Sequence, residues 1–204
     1  MSGGVIAALV GLGFGVMLVR RRSLATLLVS VQALVLGVGA LTLAGEGSGL
    51  AVAGVILLVR ALALPAILAI STRRTREPAL VAPPRSALVR LLVATFVGLV
   101  AALAVPSLGL ADRAAESGAL ALLCLGIAIV AMRRPAILQV LGIIVAENGV
   151  YLLAVSVPGG IPAVVELGVV FDLVLVVTVA AAFSEKIHEA LGSGDTDLLR
   201  GLRD

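Results

Sequence analysis

Seven stretches of this chain are apolar over about the thickness of a bilayer: residues 3–19, 24–43, 49–71, 87–110, 115–132, 135–157 and 161–183. At 1.5 Å per helical residue, each comes close to crossing a hydrocarbon core of roughly 30 Å, the first only marginally. The breaks between them are charged or rich in glycine and proline, the chemistry that ends helices. Arg20-Arg21-Arg22 closes the first run, Gly45-Glu46-Gly47-Ser48-Gly49 the second, and the stretch Thr72 to Pro84 the third. Asp112-Arg113, Arg133-Arg134-Pro135 and Pro158-Gly159-Gly160 close the next three. The pattern predicts an all-α, polytopic membrane bundle of about seven transmembrane helices.

Composition agrees with that pattern. Mean hydropathy is +1.22, with 61% hydrophobic and 13% charged residues, far more apolar surface than a soluble domain of 204 residues has use for. The basic balance, with a pI near 10.0, points to membrane topology and away from nucleic acid, because the arginines sit in short loops. Arg20, Arg21, Arg22, Arg73, Arg74, Arg76, Arg85, Arg133, Arg134 and Lys186 all follow odd-numbered runs. Arg90, in the first turn of the fourth run, lies on the same side. Only Arg113 follows an even-numbered one. The positive-inside rule then puts the N-terminus outside and the C-terminus in the cytoplasm. The first run reads as a transmembrane helix and not a signal peptide, since its positive cluster follows the apolar stretch.

Sliding the chain by 112 residues lays Arg21-Arg22 on Arg133-Arg134, Gly37 on Gly149 and Arg60 on Asp172. Runs one to three therefore look like a copy of runs five to seven. With a single linker helix between them, both copies point the same way, the arrangement of a parallel repeat about an axis along the membrane normal. The chain divides into a three-helix unit at 1–72, a cytoplasmic loop and linker helix at 73–114, a second three-helix unit at 115–183 and a cytoplasmic polar tail at 184–204. The repeat leaves open whether Arg60 and Asp172 pair across the axis or find separate partners.

Charges at bilayer depth are the candidate chemistry. Each costs about 2.5–3.5 kcal/mol on insertion scales, so each tends to face protein or a wet cavity. Arg60, Glu147 and Asp172 lie within apolar runs, and Glu166 lies nearer a helix end. Glu147 and Tyr151 are four apart and share a helix face, with Gln139 on the same broad side and Asn148 beside the carboxylate. Gln32 stands in the second run, and Pro65, after Arg60, would free backbone carbonyls in the third. Gly142, Ala146 and Gly149 would let a neighbouring helix approach closely. Desolvation raises a buried carboxylate's pKa and an arginine lowers it, and groups so balanced can pass protons through water. The same polar groups could instead only lock helices together by hydrogen bonds.

Other chemistries are excluded by residue type. Cys124 is the only cysteine and His188 the only histidine, so there is no cysteine metal site and no histidine cluster, and with His188 in the polar tail we find no serine–histidine–acid arrangement. We expect no metal ligands, no cofactor and no catalytic residue in this chain. Aromatic residues are 2% with no tryptophan, so the aromatic belt is nearly missing, which points to burial among other membrane subunits.

The stretch Gln139-x-x-Gly142, Glu147-Asn148-Gly149, Val165-Glu166-Leu167-Gly168 and Asp172 resembles the hydrogenase-4 component E family. These are membrane subunits of formate hydrogenlyase-like and related group 4 [NiFe]-hydrogenase complexes. Gln32, Arg60 with Leu64-Pro65, and the tail from Asp195 to Leu202 extend the likeness over most of the chain. Runs five to seven are similar to the three-helix K-type subunit of complex I and of multisubunit cation/proton antiporters. There the middle-helix acid would fall at Ile144, about one turn before Glu147. The resemblance implies a non-catalytic subunit in a bacterial or archaeal cell membrane. It would link antiporter-like subunits to the membrane anchor of a nickel–iron and iron–sulfur redox arm. Glu147, Asp172, Glu166 and Arg60 would serve proton relay or coupling, supported by Gln32, Gln139, Asn148 and Tyr151. Two alternatives are a K-like subunit of a cation/proton antiporter and a purely structural assembly scaffold.

Overall fold

A computed structural model describes residues 2–43, 49–75, 86–104 and 112–156. Within them the chain is helical and has no strand. The elements are α1 (Gly3–Leu18), α2 (Arg22–Leu43), α3 (Gly49–Thr75), α4 (Ala87–Ala104), α5 (Arg113–Met132) and α6 (Ala136–Ser156). Of these, α2, α5 and α6 are long and apolar enough to cross a membrane, and Gly3–Leu18 is a shorter apolar helix. The seventh apolar run, with Glu166 and Asp172, and the tail with His188 lie outside the described residues.

Local chemistry places the helix ends. Asp112 caps α5, its carboxylate accepting from the N–H groups of Ala114 and Ala115 at 3.1 Å each. The connections α1–α2 and α5–α6 are short and arginine-bearing, and α3 continues through Pro65.

Small residues determine which helices meet most closely. A Cβ on Gly149 would lie 2.6 Å from the Ala119 carbonyl oxygen, and one on Gly142 would lie 2.9 Å from that of Gly126. The backbones of α5 and α6 therefore touch where any larger side chain would hold them apart. Gly37 and Gly54 do the same for α2 and α3, each Cβ falling 3.1 Å from the other's carbonyl oxygen. Helix α1 packs between α2 and α5, α6 also touches α2, and α4 lies on α5 and α1. Leu9, Met17, Leu36, Leu122, Ile129 and Ile144 fill the centre without exposure.

An offset of 112 carries α1 onto 115–130, inside α5, and α2 onto 134–155, within two residues of the ends of α6. Two α1–α5 contacts join positions one offset apart, Ile6 against Gly118 and Gly13 against Leu125.

Candidate functional site

Arg60 stands near the middle of α3, where a lipid-facing charge would be costly, and it points inward with 2% exposure. Its Nη1 lies 3.0 Å from Glu147 Oε1 on α6. Its Nη2 donates to Asn148 Oδ1 at 3.2 Å. Neighbouring residues on a helix diverge by about 100°, so only a fork-shaped group wedged between them can reach both. One turn further along α6, the Tyr151 ring centroid lies 5.4 Å from Arg60 Cζ, within cation–π range.

The polar chain continues through amides. Asn148 Nδ2 donates to Gln32 Oε1 at 2.9 Å, and Gln32 Nε2 donates to the Leu9 carbonyl oxygen at 2.8 Å. Gln32 and Asn148 have no exposure at all. Gly13 lies beside this bond and lets Leu125 of α5 approach closely, since its Cβ would meet Leu125 at 2.7 Å. Side chains from α3, α6 and α2 thus form one network ending on the backbone of α1. Each contributing residue lies close to the middle of its helix.

Of the residues singled out in the sequence, Arg60, Glu147, Asn148, Tyr151 and Gln32 come together. Gln139 does not: its Nε2 donates to the Arg133 carbonyl oxygen at 2.9 Å, at the opening of α6. That is about 12 Å from Glu147 along the helix axis. Arg60, left open in the sequence between Asp172 and another partner, has Glu147 as an ion-pair partner. Glu166 and Asp172 lie outside the described residues.

Thr26 and Ser30 line a narrow cleft that also touches Arg60, Ala33, Leu141 and Ile144. Their hydroxyls donate to the carbonyls of Arg22 at 3.0 Å and Thr26 at 2.9 Å. Glu147 is 12% exposed, so it is the titratable member of the cluster that surroundings can reach. Among the described residues no cluster of three histidine, cysteine or acidic side chains could hold a metal ion.

Sequence reasoning took the loop arginines only as topology signals and missed that three arginines are buried. Arg22, Arg90 and Arg133 are 9%, 1% and 2% exposed. The signal available was position: a double arginine directly before Pro135, and an arginine one turn into an otherwise apolar helix.

No family profile matches the chain, and no solved structure matches it. Over 90 residues it is 30% identical to a protein of Mycobacterium tuberculosis, the uncharacterized protein Rv0085. The match takes in 44% of this chain and 41% of that protein's length.

Proposed function

We propose that this chain is a non-catalytic membrane subunit of a multisubunit oxidoreductase of the hydrogenase or complex I type. In this reading it crosses the membrane seven times with its N-terminus outside, and its two three-helix units form a parallel repeat. It joins antiporter-like subunits to the anchor of a redox arm, and the Arg60–Glu147 cluster serves proton translocation or its coupling. The observation that carries the reading is the ion pair of 3.0 Å at mid-helix, bonded through Asn148 and Gln32 to two further helices. A carboxylate held there against a guanidinium can take up or release a proton when a neighbouring charge moves, with Arg60 permanently charged. Asp172 and Glu166 would belong to the same path on the resemblance to the component E family.

The test is Glu147→Gln, which keeps shape and most hydrogen bonding but removes the titratable proton. Complex yield should fall less than in Glu147→Leu, because the amide keeps hydrogen bonding to Arg60, while proton translocation or coupled turnover per assembled complex falls at least tenfold. Normal coupling in this variant removes Glu147 from the relay. Copurification of a nickel–iron or iron–sulfur subunit supports the redox assembly, and its reproducible absence favours an antiporter assembly.

One observation favours a second reading, an assembly scaffold. Gln32 and Asn148 are fully buried and bonded helix to helix, which is how polar residues specify packing in membranes. Under that reading Glu147→Gln is silent and Glu147→Leu disrupts assembly.

A further inference from the structure

We propose that the arginine end of the bundle carries a binding site for a phosphate group, built by Arg90, Arg133 and Arg20 around the C-terminus of α1, with an anionic phospholipid headgroup as its occupant. Arg90 reaches in from the first turn of α4, and Arg133 from the α5–α6 connection. Arg90 Nη1 and Arg133 Nη2 both donate to the Met17 carbonyl oxygen, at 3.0 and 2.8 Å. Arg133 Nη2 also donates to Val16 at 3.3 Å and to the Val19 carbonyl oxygen. Two guanidinium groups sharing one oxygen cannot stand more than about two hydrogen-bond lengths apart.

Among the described residues, charge does not balance there. The end of α1 supplies roughly half a negative charge. Against it stand two buried cations and the exposed Arg20, whose charge acts on Arg90. Among the described residues, no carboxylate lies within ion-pair distance of Arg90 or Arg133. Burial, and after it the charge of Arg90, draws the Arg133 pKa down to about 10, so it remains charged at neutral pH.

Hydrogen bonding does not balance either. Among the described residues, Arg90 Nε, Arg133 Nε and Arg133 Nη1 are buried without an acceptor. Buried polar groups are nearly always bonded, and an orphan calls for an explanation such as an ion. A phosphate offers several oxygens in a compact tetrahedron and suits guanidinium donors. The cluster lies at a helix end where headgroups would stand, on the side to which the positive-inside rule assigns the cytoplasm. Basic pockets between helices on that side suit anionic headgroups. The inference is independent of the proton relay, because none of its residues touches Glu147.

The full chain, extracted in mild detergent with whatever subunits accompany it, is stripped of lipid and offered phosphatidylglycerol, phosphatidylcholine or inorganic phosphate. Phosphatidylglycerol should raise the thermal midpoint by several degrees and remain bound in native mass spectrometry, while phosphatidylcholine should do neither. Arg20→Gln, an exposed change that leaves the cap on α1 intact, should reduce retained phosphatidylglycerol several-fold at unchanged yield. Arg90→Gln should abolish the shift. A shift with inorganic phosphate alone supports the site and reassigns its occupant to a free anion. Equal effects of phosphatidylcholine and phosphatidylglycerol, no effect of any of the three, or retention unchanged in Arg20→Gln overturns the proposal.

Discussion

At the scale of single residues, Arg60 is the side chain on which the most depends. It is 2% exposed, and removing its carboxylate partner leaves a buried cation uncompensated, a change that typically costs about 3–5 kcal/mol. Glu147→Leu should therefore destabilise assembly strongly and Glu147→Gln in part, and the double change Arg60→Gln with Glu147→Gln should recover much of what Glu147→Gln alone loses. Complex yield and thermal midpoint across the variants measure this, and strict additivity would deny the pair any coupling. Asn148→Ala removes the acceptor for Arg60 and the donor to Gln32 together, leaving buried groups unpaired at about 1–3 kcal/mol each. It should lower the midpoint more than Ser30→Ala, whose hydroxyl bonds only to its own helix. The membership of this cluster was partly readable beforehand. Polar residues in apolar runs announce themselves, and Glu147 with Tyr151 share a face by spacing. Partner choice was not readable, because the offset of 112 aligns Arg60 with Asp172 and holds no information about which helix packs on α3.

At the scale of elements, glycine placement controls the bundle. Gly149→Val would drive side-chain carbons into the α5 backbone, where even a Cβ falls 2.6 Å from the Ala119 carbonyl oxygen. Overpacking of this kind costs about 1–3 kcal/mol or separates the helices. By contrast a Cβ on Gly11 or Gly98 meets nothing within 4 Å, so Gly11→Ala and Gly98→Ala should be silent. Thermal melts of the three variants test the contrast, and equal melts would mean that the α5–α6 contact is not close. The cap of α5 adds a pH effect. The Ala115 N–H, and to a lesser degree the Ala114 N–H, hold the Asp112 carboxyl below its usual range. A depressed folded-state pKa stabilises above the ordinary aspartate value near 3.9 and loses that contribution as pH falls through the lowered one. Asp112→Ala should thus reduce stability at neutral pH, and its difference from the parent should shrink in acid. A pH-independent difference would show that the charge is irrelevant to the cap. Helix ends were well anticipated: α1, α2 and α5 begin or stop within two residues of the apolar runs. Arginine, glycine and proline at the breaks are local signals, whereas the buried fate of Arg90 and Arg133 depends on how α1 ends against helices distant in sequence.

At the scale of the whole molecule, the orientation prediction rests on arginine asymmetry. In a Cys124→Ser background, Ser48→Cys should react with an impermeant reagent from outside, and Ser86→Cys only after the membrane is breached. The reverse pattern overturns the orientation, and equal access undoes the seven-span count. The molecule should also persist only with its partners. Outward-facing large apolar residues along α4, such as Leu88, Leu92 and Phe96, fit lipid or a subunit, but the buried charges need a closed bundle. Expressed alone the chain should be degraded or aggregate, and a monodisperse, heat-stable monomer in mild detergent would contradict this. The clamp on α1 has one more consequence, and it concerns time. A ribosome makes Met17 well before the two arginines that close its carbonyl, Arg90 being 73 residues further on and Arg133 being 116, and the Gly13 contact with Leu125 comes nearly as late as the second. Before α5 and α6 are made, then, α1 is a short helix of 16 residues that rests on α2 and α4 alone, with only Arg90 at its end. Nascent chains arrested before α5 should yield α1 to extraction or protease, and chains released after α6 should protect it. Helix α1 is made before α5 and α6, yet it is fully secured only with them.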